Sequence, residues 1–331
     1  MSLRLNHFLA LNVMFACSGL AHAATEVTAP QVVEALEGTF GAHPGERRNH
    51  IKGVCAAGDF VGTSDAARLS VSQLFSGQHI PVVARFSLAG GNPNAPDTTP
   101  NARGMALEFR LQDGVRHHIT MLNTPVFGAA QPATFNDMII ASKPDPATGK
   151  PDPARLRQFF ATHADALAQA DFLGQHAPPV SYANATFFGI HTFKFIDKQK
   201  KEHFVRWRFM PQDGDKGLSA DEIKHAPHDF LEARLADRLK HGPVRWDMLV
   251  AIGQPGDSED NPTVRWPADR KEFKAGTLTI TQSSPQRGGE CEKINFDPLV
   301  MAEGIAPTND PILRFRSPAY AASFGKRLSG K

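Results

Sequence analysis

Between Lys52 and Leu122 apolar and polar side chains alternate in four short runs, Lys52 to Val61, Pro81 to Leu88, Gly104 to Leu111 and His117 to Leu122. Each is rich in β-branched or aromatic residues and is bounded by Gly, Pro or Asn, a pattern that predicts β-strands. A second set follows at Thr186 to Ile196, His203 to Met210, Trp246 to Ile252 and Thr277 to Thr281. Four plus four strands around a helical insert from Pro153 to Leu173 predict a closed antiparallel barrel, because closure removes exposed strand edges. Helical spacing predicts a short helix from Val27 to Leu36 and another from Ser64 to Leu74, with Ser64 and Asp65 as caps. A charged helix near Ala220 to Leu239 reads as a solvated surface element, and a last helix begins near Pro318. The stretch from Gly90 to Pro100 has no apolar period and predicts a long irregular loop, of the kind that is usually functional.

The N-terminus changes the picture first. Arg4 and His7 precede an apolar run from Phe8 to Leu20 that closes on Ala21, His22 and Ala23, the pattern of a cleaved export signal. The run is shorter than a membrane-spanning helix needs, and Met14 to Ala16 make a poor lipoprotein site before Cys17. Residues 1–23 are therefore expected to be a signal peptide that directs the protein to the periplasm, with 24–331 as a single domain and no membrane attachment after processing. With 36 Lys and Arg against 34 Asp and Glu, the chain has no net field to favour nucleic acid. Cys55 and Cys291 survive processing; an oxidising compartment would permit a bridge, and two free buried thiols are equally compatible with the sequence.

Three segments carry candidate chemistry. Tyrosine occurs only at Tyr182 and Tyr320. On a helix Arg316, Tyr320, Ser323 and Arg327 fall at i, i+4, i+7 and i+11 and share one face, where an arginine near a phenol favours its anion, a strong ligand for ferric iron. The plainer reading is a terminal helix with solvated arginines, and Pro318 at a first helical position with Ser317 as cap would leave Arg316 just outside. His50 enters the first strand among Arg47, Arg48 and Lys52. A neutral imidazole there could take a proton from one peroxide oxygen and return it to the other. Arg85 and Ser87 share one strand face, the arginine suited to a carboxylate and the serine to orienting an imidazole. Glu222, His225 and His228 make a poor metal clip, because Pro227 disrupts helical spacing between the histidines.

Together these segments resemble the haem catalases. The resemblance runs through Arg47, His50, Lys52 and Gly53; Val83 to Ser87; Asp97 and Thr98; Arg103 and Gly104; Asn123 to Phe127; and His191 to Lys194. It continues through Thr263, Trp266 and Pro267, Phe296 to Pro298, and Gly304, Ile305, Asp310 and Leu313, covering roughly residues 37 to 328. The resemblance implies an α+β, catalase-like eight-stranded antiparallel β-barrel with flanking helices and a C-terminal proximal haem helix. It implies haem b, with Tyr320 as axial ligand, Arg316 as its charge partner, His50 as distal acid/base and Ser87 as its support. Arg47 and Arg85 would hold the haem propionates, and Phe127 and Phe135 would wall the pocket.

The departures are informative too. Where typical catalases carry a distal asparagine this chain has Leu122, and Asn123 points to the other strand face. Losing that donor is expected to impair oxidation of a second peroxide more than reduction of the first. The segment also lacks the Asp that usually follows the ligand, and the chain ends soon after Tyr320. It therefore resembles the small, secreted catalase-related peroxidases. The expected substrates are a peroxide and a small-molecule reductant, and the expected assembly is a monomer or homodimer. Rearrangement of lipid hydroperoxides and non-catalytic haem binding stay open as alternatives.

Overall fold

A computed structural model describes residues 26–330, so the expected signal peptide lies outside the described residues. Among these, ten strands form one sheet: β1 (Gly53–Gly62), β2 (His79–Leu88), β3 (Arg103–Arg110), β4 (Arg116–Leu122), β5 (Phe187–Phe188), β6 (Phe193–Ile196), β7 (Glu202–Pro211), β8 (Val244–Ile252), β9 (Glu272–Pro285) and β10 (Ile305–Pro307). The helices are α1 (Ala29–Phe40), α2 (Ser64–Ala67), α3 (Pro132–Ala141), α4 (Pro153–Thr162), α5 (Leu167–Gln175), α6 (Ala220–His225), α7 (Phe230–Leu239) and α8 (Pro311–Leu328).

β1 to β4 form an antiparallel meander, β4 reaches β7 through β5, and β7 to β9 return antiparallel to β1. Because β5 and β6 both lie on β7 as one interrupted stave, the closed barrel has eight staves, as predicted. Alternate side chains fill its interior. Phe60, Phe86, Phe109, Phe187, Phe209 and Trp246 are fully buried there, with Phe60 and Phe109 edge to face at 5.4 Å. A filled barrel leaves no room inside for a ligand. The outward positions Arg85 and Ser87 on β2, Gly104 and Ala106 on β3, and Thr120 and Leu122 on β4 instead form one wall of a cavity outside it. Helices α1 and α8 cover that wall. α1 starts on a capping box, with Thr28 as cap and Gln31 reaching back to the Thr28 N–H, and buries Val32 and Leu36 against Ile139, Phe135 and Phe315.

Several predicted elements are corrected. The helix expected from Ser64 to Leu74 stops at Ala67, with Thr63 as its cap, because Ser70 and Ser72 turn their hydroxyls back onto the N–H groups of Ser72 and Leu74. The element near Ala220 to Leu239 splits into α6 and α7 around Pro227, and α7 is not merely solvated, since Phe230, Leu231 and Leu235 are buried. The insert likewise divides into α4 and α5. The loop from Gly90 to Pro100 is irregular as predicted, and it is anchored: buried Asp97 pairs with Lys52 Nζ at 2.8 Å and accepts from Leu231 N at 2.7 Å.

Candidate active site

All eight site residues named from sequence line one open cavity: Arg47, His50, Arg85, Ser87, Phe127, Phe135, Arg316 and Tyr320. They come from the approach to β1, from β2, from the β4–α3 connection, from α3 and from α8. Val32, Val33, Leu36 and Phe296 add apolar lining, and the Phe127 and Phe135 rings stack obliquely at 5.5 Å.

His50 does not sit in β1 as expected but in the bend before it, at φ 53. A β-carbon disfavours that left-handed backbone, so neighbouring groups must hold it there. Asn49 Oδ1 accepts from the N–H groups of His50 and Gly90, both at 2.9 Å, and Arg85 Nη2 donates to the His50 carbonyl at 2.5 Å. The ring is fixed by Ser87, whose Oγ lies 2.9 Å from Nδ1. Gly104 supplies the room. A Cβ at that position would stand 2.8 Å from Ser87 Oγ and 3.0 Å from His50 Nδ1. Desolvation, then the charges of Arg85, Arg316 and Arg47, hold the imidazole down to about 3, so it is neutral through the physiological range.

On the other element, α8 begins at Pro311 rather than near Pro318, capped by Asp310 Oδ1, which accepts from Ile312 N at 2.8 Å and Leu313 N at 3.1 Å. Pro318 lies within the helix, and Ser317 is not a cap; its hydroxyl donates to Asp297 at 2.5 Å. Arg316 is therefore helical, and Arg316, Tyr320, Ser323 and Arg327 all face the cavity. Arg316 Nη2 donates to Tyr320 Oη at 2.8 Å and to Thr120 Oγ1 at 2.7 Å.

The stave interruption between β5 and β6 supplies a residue to which sequence reasoning gave no site role. His191 sits in that break and lies 3.1 Å from Arg316 Nη1 through Nε2, and 2.6 Å from Asp310 Oδ2 through Nδ1. Guanidinium can only donate, so Nε2 accepts and Nδ1 donates its N–H to the Asp310 carboxylate. Desolvation, partly offset by Asp310, lowers the His191 pKa, in keeping with that neutral tautomer. Asp310, His191, Arg316 and Tyr320 thus form one hydrogen-bonded chain. His191 and Asp310 were visible as motif matches, but their meeting across the fold was not.

The opposite rim is cationic. Arg47 Nη2 donates to the carbonyls of Cys291, Glu292 and Ile294 at 3.0, 3.3 and 2.8 Å. Arg85 donates to Gln286 Oε1 from Nε at 2.8 Å as well as to His50. Both arginines are thus bound to the protein itself, and Arg47 Nε and Nη1 keep no protein partner among the described residues. Desolvation and repulsion from Arg85 and Arg327 push the Arg47 guanidinium down to about 8, a rim that calls for an anion. Leu122 lines the cavity as expected, while Asn123 is turned away to accept from Arg103 N at 2.6 Å. The question left by the two cysteines is settled: Cys55 and Cys291 are disulfide-bonded with a Cα–Cα separation of 5.4 Å.

The chain belongs to the catalase family, whose sequence profile, described as catalase, matches residues 31–331. It is 54% identical over 325 residues to the catalase-related peroxidase of Synechococcus elongatus, covering 97% of this chain and 96% of that one. It is 36% identical to the catalase-related peroxidase of Mycolicibacterium paratuberculosis, covering 90% and 94%. In fold it resembles a fungal catalase crystal structure, with a TM-score of 0.80 at 24% identity over 86% of this chain and 60% of that one. Catalases are haem proteins, and the cavity fits the group. It offers an apolar slot for the ring, a tyrosine oxygen as a hard ligand, and a rim of cations for the carboxylates.

Proposed function

We propose that the processed chain is a peroxidase that reduces hydrogen peroxide or organic hydroperoxides at haem b with electrons from small-molecule donors, and that it has weak or no catalase activity. One observation carries the reading: the Arg316–Tyr320 pair and the His50–Ser87 pair, more than two hundred residues apart in sequence, line one cavity. Haem, when bound, supplies the electrons that break the peroxide O–O bond and is restored by the donor. Tyr320 would ligate its iron, held by Arg316, Arg47 and Arg85 would pair with its carboxylates, and Phe127 and Phe135 would pack on its ring. With Nδ1–H donated to Ser87, His50 Nε2 keeps a free lone pair; it takes the proton from one peroxide oxygen and returns it to the other, which departs as water or alcohol. Leu122 offers no hydrogen bond to a second peroxide, which favours peroxidase over catalase turnover.

The remaining assignments are export through residues 1–23 to the periplasm and action there as a monomer or homodimer. The disulfide supports an oxidising compartment. The test is the absorption spectrum of purified protein before and after peroxide. Wild type should carry a haem band that changes with peroxide and recovers with a donor, and Tyr320→Phe should lose stable haem. Full haem occupancy with an unaltered spectrum in that variant would defeat the ligand assignment.

A further inference from the structure

The segment from Gln286 to Ile294 follows β9 and runs beside the cavity's cationic rim. Its Cys291, Glu292 and Ile294 carbonyls take Arg47 Nη2, and at its start Gln286 takes Arg85 Nε through Oε1 while donating to the Ile51 carbonyl at 3.1 Å through Nε2. One strap therefore grips both rim arginines and the residue next to His50. A carbonyl moves only with its backbone, so the Arg47 guanidinium sits wherever the strap is fixed.

The strap is fixed at Cys291, fully buried and bonded to Cys55 on β1. Cys55 stands opposite Arg85 in the β1–β2 ladder. The strap lies close on that strand: a Cβ on Gly289 would come within 2.7 Å of Cys55 Sγ and 2.6 Å of the Pro285 carbonyl. Immediately downstream, Phe296 packs on Cys55, Val83 and Cys291 and lines the cavity. The bond thus ties to the barrel the part of the strap whose carbonyls take Arg47, while Gln286 follows directly on Pro285, which pairs with Val54 of β1.

We propose that Cys55, Cys291 and Gln286 are positioning residues for haem, acting through Arg47 and Arg85: the disulfide locks the strap, and the strap aims the two cations that meet the haem carboxylates. The proposal rests on the haem reading above. A bond that merely stiffened the fold would change the melting temperature and leave haem retention alone, which separates the two roles.

The experiment compares wild-type holoprotein with Cys55→Ala/Cys291→Ala, following haem loss to excess apomyoglobin by the Soret band, with circular dichroism to verify folding. Haem should leave the variant about tenfold faster, the lower end of what loss of an orienting partner does to affinity. Arg47→Ala should accelerate loss in the wild-type background and add little once the disulfide is gone. Gln286→Ala, which keeps the disulfide, should release haem a few-fold faster; it decides the matter should the cysteine variant not fold, and an unchanged rate there overturns the proposal. Equal release from folded wild type and cysteine variant, or an Arg47→Ala effect of the same size with and without the bond, overturns it as well. Failure of wild type to take up haem would sink the haem reading and this proposal together, whereas uptake with unaltered release rates sinks this proposal alone.

Discussion

The two walls of the cavity are built by opposite means. On α8 the spacing Arg316 to Tyr320 places donor and acceptor together through helix geometry alone, and the capped N-terminus at Asp310 keeps the helix in register. At the approach to β1 most of what holds His50 comes from elsewhere in the chain. Its left-handed backbone depends on Asn49, on Arg85 from the next strand, and on Ser87, which lies 37 positions along the chain. A helical pair survives most changes elsewhere in the molecule, whereas a side chain held by distant contacts depends on the whole barrel.

That contrast can be broken from either side. The largest effect is expected from His50→Ala, which removes the proposed proton carrier and leaves the tyrosine wall intact. Haem absorption should persist while the peroxide step slows by about 10²- to 10⁴-fold; an unchanged rate in stopped flow would remove His50 from the mechanism. Asp310→Asn attacks the other wall indirectly. The amide can still cap α8, but it no longer offers His191 a charged acceptor, so haem affinity should fall by about 10- to 100-fold with helix content preserved. Equal affinity would reduce the His191 chain to packing.

Gly104→Ala is more selective. Its methyl meets Ser87 Oγ and His50 Nδ1 and should cost about 1–3 kcal/mol by overpacking, with slower peroxide turnover and little change in haem content. Loss of haem rather than rate would show that the two walls are less separable than described. A further effect, small near neutral pH, is on acid stability of the apoprotein. Burial holds His117 down to about 3 and His50 likewise to about 3, while an unfolded histidine takes its proton near its ordinary value. Below about pH 6.5 the unfolded chain therefore binds more protons. Stability is fully present above that point and is lost as pH falls toward 3, by about 1.4 kcal/mol per pH unit for a group as buried as His117. Urea midpoints that stay level between pH 7 and pH 5 would contradict this.

The same contrast explains what could be read in the sequence. The face formed by Arg316, Tyr320, Ser323 and Arg327 was legible because a helix converts spacing into geometry. Pro318 nevertheless hid the true start of α8, since proline is commoner at a first turn than inside a helix. The strands were legible by alternation, but the interruption that frees His191 was not, because apolar residues continue through it. Alternation placed Arg85 and Ser87 on one strand face, and both line the cavity, but the hold of Arg85 on the His50 carbonyl depends on a backbone bend that no pattern announces. The cysteine pairing depended on the β1–β9 and strap geometry, which only the closed barrel creates.

The closing seam of the barrel, β1 against β9, has a consequence for timing. β1 pairs with β2, its neighbour in sequence, but its second partner begins at Glu272, and the tyrosine wall comes later still, in α8. Contacts so distant along the chain form slowly and only after nearly the whole polypeptide has been delivered. A chain made only as far as β9 would own the imidazole of His50 but neither Arg316 nor Tyr320, so the second wall of the cavity closes only once α8 has been made.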